Sequence, residues 1–114
     1  MGTMAASLAE NLALAEGAGL SPADVLQVVS LGAVAAPMFA LKGPAMTAHS
    51  YPPAFPLKHQ QKDLRLALAL ADAVGVSAPL AAAANARFVE ARAAGLGDAD
   101  FSAVYEAAVP RKGA

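Results

Sequence analysis

Three short glycine-led strings cut this 114-residue chain into helical lengths and leave room for little else. Gly17-Ala18-Gly19-Leu20 runs into Ser21-Pro22-Ala23-Asp24, Gly75-Val76-Ser77 into Pro79, and Gly95-Leu96-Gly97-Asp98 into Asp100. Each places glycine where a helix ends and an apolar residue after it, the pattern of a glycine C-cap. Each then supplies a capping residue or a proline where the next helix begins. Ser21 with Asp24 three positions on is the fullest start signal, a hydroxyl for an unpaired backbone N–H and an acid for the helix dipole. The strings are unevenly spaced. They read as junctions between paired helices and not as the period of a solenoid.

Between the stops the apolar residues recur at helical intervals. Met4, Leu8, Leu12 and Ala15 give the first helix its stripe, and Val25 to Leu31 give the second a core face. Residues 33–56 change character, because Pro37, Pro44, Pro52, Pro53 and Pro56 interrupt the pattern. The spacing predicts a short helix over Pro37 to Leu41, another around Met46, then an extended proline segment. A long helix follows from about Leu57 to Val74. Leu80, Ala84, Phe88 and Ala91 mark the next, Pro79 to Ala94, and Asp100 to Val109 the last; the tail from Pro110 is polar and expected to fray. Apolar residues make up 57% of the chain but aromatics only 5%. That balance suits closely packed helices over sheet. The expected fold is all-α, with five or six helices.

The same composition excludes several classes of function. No window of about 18 apolar residues escapes a charge, Pro or Gly, so the positive mean hydropathy does not mean a spanning helix. The net charge is −1, and no basic field is present for nucleic acid. With no cysteine there is no disulfide and no thiolate chemistry. No dinucleotide or P-loop glycine motif occurs, and His49 and His59 are not at metal-ligand spacing, so no metal site is expected. The first residues read as the middle of an amphipathic helix, without signal or transit features. The expectation is a soluble piece of something longer, with the cytoplasm favoured and an organelle open.

Charge, amide, imidazole and a leucine-rich helix meet only in Phe55 to Asp72, FPLKHQQKDLRLALALAD. On a helical wheel Lys58, Gln61, Lys62, Arg65 and Asp72 share one side. Asp63 instead heads the line Asp63, Leu66, Leu70, Val74, so a carboxylate begins what looks like a face to be buried. Either it is an early-helix acid, held by the macrodipole and a neighbouring cation, or it meets something specific. Lys62 is a solvated or ion-paired lysine or a ligand-holding one, and Phe55 a staple in the core or the wall of a site. Asn85, set among alanines, bonds to helix backbone or serves a site. Asp98 and Asp100 straddle a helix start, where capping accounts for both.

These strings together resemble a known family. SYPPAFPLKHQQKDLRLALALADAVG, then PLAAAANARFVEARAAGLGDADFSAVYEA, with LGAVAAPMFALKGPAM upstream, is similar to the C-terminal domain of the β-hydroxyacid (3-hydroxyisobutyrate-type) dehydrogenases. Within it the likeness is to plant-type NADPH-dependent glyoxylate and succinic semialdehyde reductases, and F-x-L-K-H-x-x-K-D-L is its most specific piece. The resemblance implies a helical domain of the 6-phosphogluconate dehydrogenase C-terminal type over residues 1–109, with 1–17 the second part of an interdomain helix. It implies a missing Rossmann domain as partner, a small aldehyde as substrate, NADPH in the complete enzyme, and a homo-oligomer. It gives Lys62 a place at the cofactor and Phe55 and Asp63 a place at the substrate. The family's catalytic lysine would lie upstream of Met1, so no catalytic residue is expected here, nor tight NADPH binding or turnover by this chain alone. The alternative is a non-catalytic helical dimerisation or interaction module derived from such an enzyme.

Overall fold

The helices fall where the glycine strings put them. In the computed structural model, which describes residues 1–110, they are α1 (Gly2–Gly17), α2 (Pro22–Ser30), α3 (Pro37–Thr47), α4 (Leu57–Val74) and α5 (Pro79–Ala91). A π-turn (Arg92–Leu96) and a 3₁₀ turn (Phe101–Val104) lead into a short α6 (Tyr105–Ala108). The architecture is all-α. Of the tail expected to fray, all but Pro110 lies outside the described residues. Gly19 and Gly75 take φ of 81° and 72°, and the N–H groups of Leu20 and Val76 reach back to Ala15 O and Ala71 O. Those bonds take up last-turn carbonyls that a side-chain-bearing residue at either glycine would leave open. Ser21 caps α2 by accepting the Asp24 N–H.

α1 runs through the middle. Its alanines Ala5 and Ala9 are fully buried, as is Leu12, and they meet Leu57, Phe88, Val104 and Tyr105 from the surrounding elements. Small residues on α1 let these larger side chains approach, and each fully buried Leu or Phe contributes roughly 1.5–3 kcal/mol. At Gly2 a Cβ would lie only 2.8 Å from both Gln60 Nε2 and Leu64 Cδ1.

Several expectations need correcting. Residues 37–47 form one helix and not two, with Pro44 inside it. Pro44 and Ala40, the residue whose carbonyl it leaves unpaired, are both exposed, so solvent relieves the lost bond. The last segment is a 3₁₀ turn followed by a single α turn, because Asp100 caps at Ser102. The preceding helix leaves α geometry at Arg92, short of Gly95 with its φ of 89°. Leu80, expected in the α5 stripe, is 80% exposed, and Met4 is also exposed. α2 buries no residue completely.

The largest correction concerns α4. Its buried residues are Leu57, Gln60, Gln61 and Leu64, whereas Leu66, Leu70 and Val74 are more than half exposed. The wheel shows which side is apolar, but neighbours decide which side turns inward. α1 meets α4 at Gly2, opposite Gln60 and Leu64. Asp63 therefore heads an exposed row, and no burial cost arises.

Candidate functional site

The segment before α4 is held by a carboxylate 45 residues further along the chain. Asp100, 1% exposed, accepts the N–H groups of Ala54 and Phe55 at 3.0 and 3.1 Å. It also accepts the Ser102 N–H and hydroxyl, and Lys42 Nζ on α3 closes the group at 3.1 Å. The backbones of Phe55–Leu57 and Ala99–Phe101 pair alongside, through Leu57 N–H to Ala99 O and Phe101 N–H to Phe55 O. Burial pushes the Asp100 carboxyl up, but the hydrogen bonds from Ser102, Phe55 and Ala54 outweigh it and hold the pKa at about 2. A carboxylate with that many donors stays charged. Lys42 lies 5.0 Å above the Phe101 ring, and Phe101 meets Phe55 edge-on at 6.1 Å. Backbone and ring of Phe55 are thus both fixed.

From Phe55 one exposed edge of α4 runs onward. The His59 ring is 6.1 Å from that of Phe55, and Lys62 and Asp63 come one turn later. Lys62 Nζ sits 3.2 Å from Asp63 Oδ1, each side chain nearly half exposed. Such a pair contributes well under about 1 kcal/mol. Asp63 also lines a groove of about 490 Å³ with Gly2, Thr3, Gln60 and Leu64. The three residues singled out from sequence therefore lie at the N-terminal end of α4, Phe55 just before it and Lys62 and Asp63 in its second turn.

The domain holds two further polar groups, one of them on α4. Gln61, 6% exposed, donates to Asn85 Oδ1 at 3.0 Å and accepts from Arg92 Nη1 at 2.8 Å. Asn85 thus bonds a side chain on α4, where helix backbone was expected. Away from α4, Glu106 Oε1 takes His49 Nδ1 at 2.5 Å and the Tyr51 hydroxyl, and Tyr105 donates to Glu16 at 2.9 Å. Burial first, then the acceptor carboxylates, pushes both phenols above the ordinary tyrosine value. Asp98, expected to cap, instead accepts from Lys58 at 2.6 Å, which holds it below the usual carboxylate range.

Sequence reasoning missed Lys42, Asp100 as a hub, and Gln61. A signal existed for Asp100 in the Asp-x-Ser spacing of a capping turn; none marked its partner on α3. Among the described residues no group of His, Asp and Glu could hold a metal, and no helix is long and apolar enough to cross a membrane.

The helical fold around this edge is that of a hydroxyacid dehydrogenase's C-terminal domain. A 3-hydroxyisobutyrate dehydrogenase from Salmonella typhimurium superposes with a TM-score of 0.87 at 33% identity, over 92% of this chain and 37% of that one. The family described as NAD-binding of NADP-dependent 3-hydroxyisobutyrate dehydrogenase matches residues 1–108, and the chain belongs to it. It is 60% identical over 107 residues to glyoxylate/succinic semialdehyde reductase 1 of Arabidopsis thaliana, covering 94% of this chain and 37% of that protein. Identity to the chloroplastic reductase 2 of the same plant is 57%, over 94% and 30%. Human cytokine-like nuclear factor N-PAC is 42% identical over 93% of this chain and 19% of its own length. The chain thus spans about a third of the plant relatives.

Proposed function

We propose that this chain is the helical C-terminal part of an NADPH-dependent reductase that converts glyoxylate or succinic semialdehyde to the hydroxy acid. The observation that carries this reading is the 60% identity to a plant reductase of that name across 94% of the chain. On this reading residues 1–109 are the domain, and 1–17 continue the helix that joins it to a Rossmann domain. Phe55 and Asp63 serve the substrate, and Lys62 serves the cofactor.

The residues present fit a share of that cofactor, not the whole of it. Lys62 offers a half-exposed ammonium, its only ion-pair partner among the described residues being the equally exposed Asp63; an approaching anionic dinucleotide can compete for such a weakly paired cation. When bound, the dinucleotide supplies the hydride. This chain's own contribution is a wall: Phe55, its backbone locked by Asp100, presents a fixed apolar surface that excludes water. Asp63 presents acceptors to a hydroxyl, and Lys62 turns Asp63 as it pairs with it. Proton transfer falls to the family's lysine upstream of Met1.

Joining this chain behind the N-terminal portion of the Arabidopsis reductase tests the assignment. The fusion should oxidise NADPH with either aldehyde. Asp63→Ala should cost it roughly tenfold or more in kcat/KM, and Lys62→Ala should raise the KM for NADPH. An inactive but folded fusion, or turnover by the 114-residue chain alone, would overturn it.

A second reading is favoured by the exposed apolar row of α4 and by the likeness to N-PAC, whose name is not that of an enzyme. In it the domain self-associates through helix faces without catalysis. Light scattering that finds a dimer, together with an inactive fusion, would select it over the first.

A further inference from the structure

The seam between α4 and α5 carries a hydrogen-bond chain whose direction is fixed from one end. A guanidinium can only donate, so Arg92 Nη1 must meet the Gln61 carbonyl, as it does at 2.8 Å. That turns the Gln61 amide nitrogen to Asn85, whose Oδ1 accepts it at 3.0 Å. The Asn85 Nδ2 is left as a donor, on a residue only partly buried. Every free end of the chain is therefore an N–H. Arg65 stands one turn beyond Gln61 on α4, on the same side of the helix.

Among the described residues neither arginine has an ion-pair partner. The salt bridges among the described residues go to Lys42, His49, Lys58, Lys62 and Arg87. Arg92 is instead oriented by a neutral amide that is itself nine-tenths buried. An exposed arginine held this way keeps its full charge and loses much of its rotational freedom before any ligand arrives, which is how a forked donor is prepared for an oxyanion.

We propose that Arg65, Asn85 and Arg92, arranged by Gln61, form a binding site for a phosphate or carboxylate anion. The site adjoins the Phe55–Asp63 edge, since Gln61 and Arg65 share a side of α4 with Lys62, but it does not rest on the reductase reading. A monoanionic or dianionic oxyanion would take two N–H groups from Arg92, one from Asn85 and the charge of Arg65.

The test uses the 114-residue chain, with inorganic phosphate as probe and acetate as the carboxylate arm, at ionic strength held constant with sodium chloride. Side-chain NMR signals of Asn85, Arg65 and Arg92 should shift saturably with one of the two, identifying which oxyanion the site takes. Arg92→Met should weaken that binding at least about tenfold. Gln61→Leu keeps both cations but frees them, and should weaken it about fivefold or more. If Gln61→Leu does not fold, Asn85→Asp, which sets an acceptor where the donor was, should abolish binding. Shifts that do not saturate, or that chloride alone reproduces, would overturn the proposal. So would a folded Gln61→Leu that binds as tightly as the parent, or an Asn85→Asp that does.

Discussion

Lys42 and Asp100 lie 58 residues apart in sequence and meet at 3.1 Å, their side chains 12% and 2% exposed. The two ends of this pair are not equivalent. Asp100 also serves Ala54, Phe55 and Ser102, so Asp100→Ala strands three amides and a buried ammonium together. We expect a loss of about 3–5 kcal/mol in urea unfolding. Lys42→Met leaves the carboxylate with its other donors and should cost about 1–2 kcal/mol.

The same carboxylate sets an acid limit. Its pKa of about 2 lies below the ordinary 3.8, so the folded state favours the charged form. The resulting stability is fully present above about pH 4 and is lost as pH falls toward 2, and it is on the order of 2 kcal/mol. Unfolding free energies measured across that window should fall in the parent. They should fall by less in Asp100→Asn.

At the alkaline end Tyr51 and Tyr105 govern. Both phenols are raised above the ordinary 10.0 by burial and by their carboxylate partners Glu106 and Glu16. Stability from the neutral phenols is present below pH 10 and declines above it, toward the raised folded values. The chain has only these two tyrosines and no tryptophan, so phenolate absorbance reads them directly. No phenolate should appear near pH 10 in the folded chain, while both should titrate there in guanidinium chloride.

Leucines on the two sides of α4 should behave oppositely. Leu64→Ala, from a position 6% exposed, should cost about 2–4 kcal/mol. Leu70→Ala, 63% exposed, should change stability by no more than about 0.5 kcal/mol. Thermal or urea unfolding of the two variants side by side decides it.

Gly43 on α3 is covered by Leu26 of α2, whose Cδ2 would stand 2.5 Å from an added Cβ. Gly43→Ala gains about 1 kcal/mol of helix propensity but forces Leu26 aside, for a net loss of about 1–2 kcal/mol. The cost should largely vanish in a Leu26→Ala background. A double-mutant cycle showing simple additivity would contradict the contact.

Local chemistry was readable from sequence, and long-range partnership was not. Gly19, Ser21 and Gly75 mark helix ends because a stop or start needs only the residues beside it. The outward turn of Leu66 and Leu70 was hidden, because the wheel shows an apolar row but not that α1 meets α4 at Gln60 and Leu64 instead. Asp100 looked like an ordinary cap, since nothing near it in sequence points to Lys42 or Ala54. The pairing of Lys62 with Asp63 was foreseeable as a neighbouring cation. That these two stay half exposed at the end of α4 nearest Phe55 needed the packing of α1 on Gln60 and Leu64 to be known first.

The bonds from Ala54 and Phe55 to Asp100 also set an order of assembly. They close a loop of about 46 residues, whose closure entropy alone is roughly 3 kcal/mol. That loop contains all of α4 and α5, so its ends come together cheaply only once these two helices have docked. We expect Phe55 to gain its fixed backbone late in folding, after α4 and α5 have docked. Loss of the Asp100 carboxylate would free the Ala54 and Phe55 amides while α4 keeps its own backbone bonds.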